Sequence, residues 1–293
     1  MTLRRRMGHW VVLAPLLVIG ASVGAPLRAA PRGDDFDRPY WRTNLFKRVI
    51  TDQKFLLTEW WPQEIRNPAF VGTLGAGLAI AVHSGANGGQ GSDFSWERGA
   101  SGSASPQVKL ASNGLTRLGN GAAVAAILGV TYLSARRAHD DRLAEASSLA
   151  TESLVDAGIW ILVLKSATAR VRPHQSGEGR FFQYGAPQNG SFPSGHAMAA
   201  FSVAAVFADK YRDKKWVPWL SYGMATLVSG ARVALGRHYP SDVVVGAVLG
   251  TSIGRGVVAR SSESEARTVP GTFVPTVGPD GRGAGIAWSY SWN

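Results

Sequence analysis

At 293 residues, 45% hydrophobic and 17% charged, the chain has apolar material for one large core with appendages. It has no cysteine, which excludes a disulfide framework and a thiolate metal site. The formal charge of +11 falls to +7 when Arg4, Arg5, Arg6 and Arg28 of an N-terminal targeting segment are set aside, and the rest form no basic run interleaved with aromatics, so an anionic substrate is expected and nucleic acid is not.

Residues 1–30 run from Arg4-Arg5-Arg6 through an apolar stretch, Trp10 to Ala25, to small residues ending at Ala29-Ala30. That order predicts a secretory signal peptide and an exported, periplasmic location, with an uncleaved anchor as the alternative because Leu27 or Arg28 spoils the cleavage site. From Trp41 to Trp60, apolar residues recur at helical spacing, which predicts an amphipathic helix on the core. Residues 84–106 are rich in Gly and Ser with little periodicity, and are expected to form a long disordered loop. Helices are predicted near 118–137, 141–169, 194–210, 216–235 and 240–258. Uncharged runs such as Ala69–Val82, Gly121–Ala135 and Val243–Gly254 fall short of the roughly 18–20 residues that span a bilayer, which favours a soluble bundle. Peripheral contact with a membrane is left open. A polar linker is expected from Ser261. Beyond it, alternation of Ile286, Trp288, Tyr290 and Trp292 and the turn Pro279-Asp280-Gly281 predict a hairpin capping the bundle. The expected organisation is a signal peptide over 1–30, a helical domain over 36–260, and a linker with hairpin over 261–293.

Three segments carry chemistry. Lys165 and Arg172-Pro173 lie seven residues apart, on nearly one helix face, with Pro173 expected to end the helix at Arg172. Alone, such a pair is usually a solvated face, yet Lys165 directly follows an apolar run. In Pro193-Ser194-Gly195-His196, Ser194 is an N-cap, the first-turn N–H groups suit an anion, and His196 stands at the rim. In Arg232, His238 and Asp242, Pro240 opens a helix from which Asp242 reaches back to the imidazole. Taken singly, a capped helix start and a helix-end ion pair explain the last two. Taken together, the three segments supply anion clamps, a nucleophile, an orienter and a proton donor for phosphoryl transfer.

Lys165-x6-Arg172-Pro173, Pro193-Ser194-Gly195-His196 and Arg232-x5-His238-x3-Asp242 resemble the three-part signature of the type 2 phosphatidic acid phosphatases, a superfamily shared with bacterial acid phosphatases and vanadium-dependent haloperoxidases. The resemblance covers roughly residues 120–255 and departs at Ala231, where the family usually has serine. It implies an all-α bundle of the acid phosphatase/vanadium haloperoxidase type and a phosphatase that needs no metal or other cofactor. It implies His238 as nucleophile, Asp242 as its orienter and His196 as acid and base, with Lys165, Arg172, Arg232, Ser194 and Gly195 holding phosphate. The expected substrate is a lipid phosphate or prenyl diphosphate, with a small phosphate ester as the alternative. A haloperoxidase, a phosphotransferase and a non-catalytic envelope scaffold are the rival readings.

Overall fold

Helix starts along the chain are set by short polar side chains that take the first free backbone N–H groups. Asn44 accepts from Phe46, Asn67 from Ala69, Ser105 from Val108, Asn120 from Ala122 and Asp140 from Leu143. The structure is a computed structural model that describes residues 40–88, 90–175, 178–184 and 190–267, with the backbone of 272–277 and 284–289. A 3₁₀ turn at Tyr40–Arg42 leads into α1 (Leu45–Phe55), which continues through a π turn, Leu56–Trp60, and a last turn, Trp61–Glu64. There follow α2 (Pro68–Ala86), α3 (Ser92–Ser103), α4 (Pro106–Leu118), α5 (Gly121–Arg137), α6 (Asp141–Thr168), α7 (Gly195–Lys210), α8 (Trp216–Ala234) and α9 (Pro240–Arg267).

The expected helical body is there, with three differences. Residues 84–106 are helical over most of their length, because Asp93, Phe94 and Glu97 are buried and their packing overrides the weak propensity of a Gly/Ser-rich segment. Helix α9 runs past Ser261 to Arg267, through a Ser-Glu-Ser-Glu-Ala-Arg stretch that contains good helix formers. The C-terminal hairpin is not supported: only two short extended segments are described, while the turn at 278–283 and every side chain there lie outside the described residues. The signal segment, 1–30, lies outside them as well.

The core pair is α7 and α9. Gly246, Gly250 and Gly254 recur at every fourth residue and place one bare stripe of α9 on the backbone of α7. A β-carbon at Gly250 would fall 2.2 Å from the Met198 carbonyl oxygen, and one at Gly254 equally close to that of Ser202. Small residues at this spacing let two helix backbones approach closely. Around this pair pack α6, α8 and the outer helices.

The soluble-bundle expectation does not hold. Pro68–Ala86, Asp141–Thr168 and Pro240–Ser262 are each long and apolar enough to cross a membrane, and α4 with α5, bent by 59°, passes as a fourth broken span. The apolar runs looked short because the helices extend beyond them through capping and inward-facing polar residues. Helix α9 carries its polar groups inside and is largely buried, whereas α2 is mostly exposed. Leu110, Ile127 and Val130 are exposed on α4 and α5, and Leu162 on α6. This is the surface of a membrane protein.

The stripe makes a direct test. Gly250→Val should collide with α7 and lower the thermal midpoint in detergent by an amount equivalent to about 1–3 kcal/mol or more. Gly158→Ala on α6, where a β-carbon meets nothing within 4 Å, should be neutral or slightly stabilising. Equal behaviour of the two variants would contradict the close packing.

Candidate active site

Helix α6 delivers Lys165 in its last turn and stops at Thr168, four residues earlier than Arg172. Ala169 there adopts a left-handed conformation (φ 39°) and its N–H caps the Lys165 carbonyl. Arg172 therefore reaches the site from an extended segment and not from the helix face that the spacing suggested. Both cations still converge on one point. Lys165 Nζ donates to the Gly190 carbonyl, and Arg172 Nη2 donates to the same oxygen at 3.3 Å.

The chain then enters α7 through Ser194, whose hydroxyl accepts from the Ala197 N–H at 3.5 Å. The Ser194 N–H donates to the Asp242 backbone carbonyl at 2.9 Å, which joins the start of α7 to the start of α9. As the first residues of a helix, Gly195 and His196 keep N–H groups with no intrahelical acceptor. A β-carbon on Gly195 would stand 3.2 Å from Ile161 and 3.7 Å from the Lys165 side chain, so glycine keeps that helix end close to the lysine. Helix α8 supplies Arg232. Gly236 (φ 63°) makes the turn that follows, and His238 precedes Pro240, the first residue of α9.

His238 is 2% exposed, with Nδ1 3.5 Å from Asp242 Oδ2, a long contact, and Nε2 3.4 Å from Arg172 Nη1. Asp242 is held by more than the histidine. Its Oδ2 accepts from the Tyr239 N–H at 2.9 Å and from the Ser191 hydroxyl, and its Oδ1 accepts from Arg170 Nη1 at 2.6 Å.

Arg170 is the residue that sequence reasoning missed. It is fully buried, pairs with Asp93 Oδ2 at 2.9 Å as well as with Asp242, and donates to the Gly179 carbonyl and the Ser241 hydroxyl. The Tyr239 ring covers its guanidinium at 4.3 Å. Asp93 also accepts from the Ser241 N–H at 2.9 Å, so α3 caps the first turn of α9. The only signal was an arginine inside the Lys165–Arg172 segment, and nothing in the sequence pointed to Asp93 as its partner. Ser191 and Ser241 were likewise not singled out.

The remaining groups face an unfilled demand for negative charge. Lys165 and Arg232 form no ion pair with a carboxylate among the described residues, and Arg232 Nε is buried without a partner. His196 donates to the Thr116 backbone, while its Nε2 is buried without a partner. Burial, then Arg232, Arg172 and Lys165, push His196 down to about 4. Burial, with Lys165 and Arg172 adding and Asp242 opposing, pushes His238 down to about 3. Burial and the neighbouring Arg172 and Arg237 bring Arg232 down to about 10. Both imidazoles are thus neutral at pH 7, with Nε2 as the available nitrogen, inside a ring of cations suited to a phosphate-sized anion.

These shifts have a sign that can be measured. An unfolded histidine titrates near pH 6.5, whereas the folded values are about 3 and about 4. Below roughly pH 6.5 the unfolded state therefore binds more protons, and stability is lost as pH falls toward the folded values. The thermal midpoint should drop between about pH 7 and pH 5, and a His196→Asn/His238→Asn protein should lose much of that slope. An unchanged slope would refute the assignment.

Residues 146–265, which include Lys165, Arg172, Ser194, Gly195, His196, Arg232, His238 and Asp242, match the model of the PAP2 superfamily. The lipid A 1-phosphatase of Porphyromonas gingivalis is 37% identical over 67 residues, 22% of this chain and 15% of that protein. The undecaprenyl-diphosphatase of Sulfolobus acidocaldarius is 34% identical over 91 residues, 31% of this chain and 43% of that one. The lipid A 1-phosphatase of Rhizobium johnstonii is 34% identical over 106 residues, 33% and 41% of the two chains. The chain thus spans less than half the length of each of these curated relatives. Among solved structures, the transmembrane PAP2-type phosphatidylglycerolphosphate phosphatase of Bacillus subtilis aligns over 75% of this chain and 94% of its own, with TM-score 0.44 and 22% identity. The residues singled out in the sequence thus all lie within the part of the chain that is similar to the PAP2 superfamily.

Proposed function

We propose that this chain is a phosphatase for lipid phosphates or diphosphates, acting through a phosphohistidine on His238. The observation that carries the reading is the placement of His238. One ring nitrogen is turned to the Asp242 carboxylate and the other lies beside Arg172, where Lys165 and Arg232 also supply charge. In the first step His238 Nε2 attacks phosphorus and the bond to the leaving oxygen breaks. His196 delivers a proton from Nε2 to that oxygen. In the second step His196 takes a proton from water, whose oxygen displaces the histidine and releases inorganic phosphate. Asp242 offsets the positive charge that the phosphorylated imidazole acquires. Lys165, Arg172, Arg232, the Ser194 hydroxyl and the Gly195 N–H hold the phosphoryl oxygens through both steps. An anion among these cations would raise His196 by its negative charge, so that the general acid is charged when substrate is bound.

The surface beside the site supports a lipid. Phe182 has φ 62°, a region that bulky residues rarely enter, and is fixed there by its N–H to the Thr168 carbonyl at 2.8 Å. This turns its ring outward beside Tyr184, whose hydroxyl donates to the Ala167 carbonyl at 3.1 Å. Leu162 and Val163 are exposed on α6 just below, so an apolar edge reaches within one helical turn of Lys165. The N-terminal segment, 1–30, is read as an export signal or anchor that places this site on the exported side of a membrane.

Two variants test the chemistry on the purified chain in detergent. His238→Ala should lower kcat by at least about 10⁴-fold on every substrate. His196→Ala should cost about 10²–10⁴-fold on a lipid phosphate and far less on an aryl phosphate, whose leaving group needs no proton. Turnover by His238→Ala at near wild-type rate would end the phosphohistidine reading.

Arg170 is proposed as a positioning residue. Arg170→Ala leaves two buried carboxylates uncompensated, at a cost of about 3–5 kcal/mol, and should fold poorly. Arg170→Lys keeps the charge but cannot bridge Asp93 and Asp242, so it should fold with kcat reduced about 10²-fold and KM little changed. A change confined to KM would move Arg170 to substrate binding.

A further inference from the structure

Helix α4 lies upstream of the residues that match the family model, and little of it is buried: Ser112 alone among its 13 residues, with Leu115 and Thr116 half-buried beside it. Its last turn nevertheless reaches two groups of the candidate site. The Thr116 hydroxyl accepts from Arg232 Nη1 at 3.4 Å. The Thr116 carbonyl accepts from the His196 ring. One residue thus touches both the end of α8 and the start of α7.

The end of α4 leaves these two oxygens available. Beyond Leu118 the backbone N–H of Gly119 turns to the Leu115 carbonyl at 2.8 Å and that of Asn120 to the Arg117 carbonyl at 3.3 Å. The Thr116 carbonyl, whose helical partner would be the Asn120 N–H, is therefore one of the free acceptors of a helix C-terminus. Gly119 holds that end against α8, since a β-carbon there would stand 2.5 Å from a Val228 methyl, about one helical turn before Arg232. The hydroxyl is free for a different reason. A helical threonine can turn its hydroxyl back to the carbonyl four residues earlier, as Thr73, Thr131 and Thr226 do. Among the described residues Thr116 makes no such bond, and its hydroxyl faces Arg232. That contact is the one hydrogen bond of the Arg232 side chain among the described residues, with Nε buried and unpartnered.

We propose that Thr116 is a positioning residue for phosphoryl transfer, its hydroxyl setting the Arg232 guanidinium and its carbonyl setting the His196 ring. A guanidinium on a flexible stem loses torsional freedom when it grips an anion, and an acceptor that fixes it beforehand removes part of that cost. The carbonyl in turn draws the imidazole proton to the nitrogen that faces it. That leaves Nε2, the nitrogen without a partner, as the one that exchanges protons. Turnover enters through the phosphatase reading above, on which this role rests, whereas anion binding can be followed without it.

Thr116→Val removes the hydroxyl at nearly constant volume, Thr116→Ser keeps it, and both keep the carbonyl. Each is compared with wild type as the full chain in detergent, by release of phosphate from an aryl phosphate and a lipid phosphate. A second readout is the rise in thermal midpoint with added inorganic phosphate. Thr116→Val should need about tenfold more inorganic phosphate for the same rise. It should also lose about tenfold in kcat/KM, alike on both esters, because Arg232 serves both. Thr116→Ser should match wild type in both readouts. Gly119→Ala, which drives the end of α4 away from α8, should slow the lipid phosphate more than the aryl phosphate, whose leaving group needs no proton. A Thr116→Val protein that binds phosphate and turns over like wild type would overturn the hydroxyl role, as would a Thr116→Ser protein equally impaired. Equal slowing of both esters by Gly119→Ala would overturn the role of the carbonyl. A wild type that responds to inorganic phosphate, with the Thr116 variants in the expected order, but cleaves no ester would uphold the setting of Arg232 and defeat the phosphatase reading. A wild type with neither response would defeat both.

Discussion

The Arg170 guanidinium is the contact on which the geometry of the site rests. One buried cation is shared by Asp242, which faces the His238 ring, and Asp93, which caps the helix carrying Asp242. Its remaining hydrogens go to the Gly179 carbonyl, the Ser241 hydroxyl and the Ala81 carbonyl. A planar fork with five donors suits such a junction, and a lysine ammonium does not. Because Asp242 is fixed by Arg170, Ser191 and the Tyr239 N–H, it does not depend on the long His238 contact for its position. In the proposed mechanism the imidazole would close on the carboxylate as charge develops on the ring.

Helix packing does the rest of the positioning. The glycine stripe of α9 sets α7 and α9 backbone to backbone, and the Ser194–Asp242 main-chain bond ties their N-termini. His196 and His238 thus sit on two helix starts that share one rigid unit. The cations come from elsewhere: Lys165 from the end of α6, Arg172 from the extended segment after it, and Arg232 from the end of α8. The Gly190 and Arg237 carbonyls hold Lys165 and Arg172 at the mouth.

Much of this was legible in the sequence, for an identifiable reason. Side chains proposed to act on a phosphoryl group are constrained in identity and spacing, so Lys165, Arg172, His196, Arg232, His238 and Asp242 stood out together. Long helices with regular polar caps were legible too. Arg170 was not, because its role depends on Asp93, 77 positions away, and on no local pattern. Helix α3 was hidden because its segment is poor in helix formers and is held by tertiary contacts of Asp93, Phe94 and Glu97. The membrane character was underestimated because a span whose charged residues face inward breaks the uncharged run that a hydropathy reading looks for. Asp156 and Lys165, both buried on α6, do this.

The capping of α9 by Asp93 bears on how far the family segment can be moved. That segment begins at residue 146, yet the second carboxylate for Arg170 comes from α3 and the acceptor for the His196 ring comes from Thr116 on α4. Both lie upstream of it. A fragment limited to the shared residues would keep every signature side chain and still lack the groups that aim two of them. Transplanting the motif-bearing half onto another N-terminal half would therefore succeed only where the donor supplies an acid and a carbonyl at matching places. In this chain the signature and its support are inherited from different parts of the polypeptide, and they must be exchanged together.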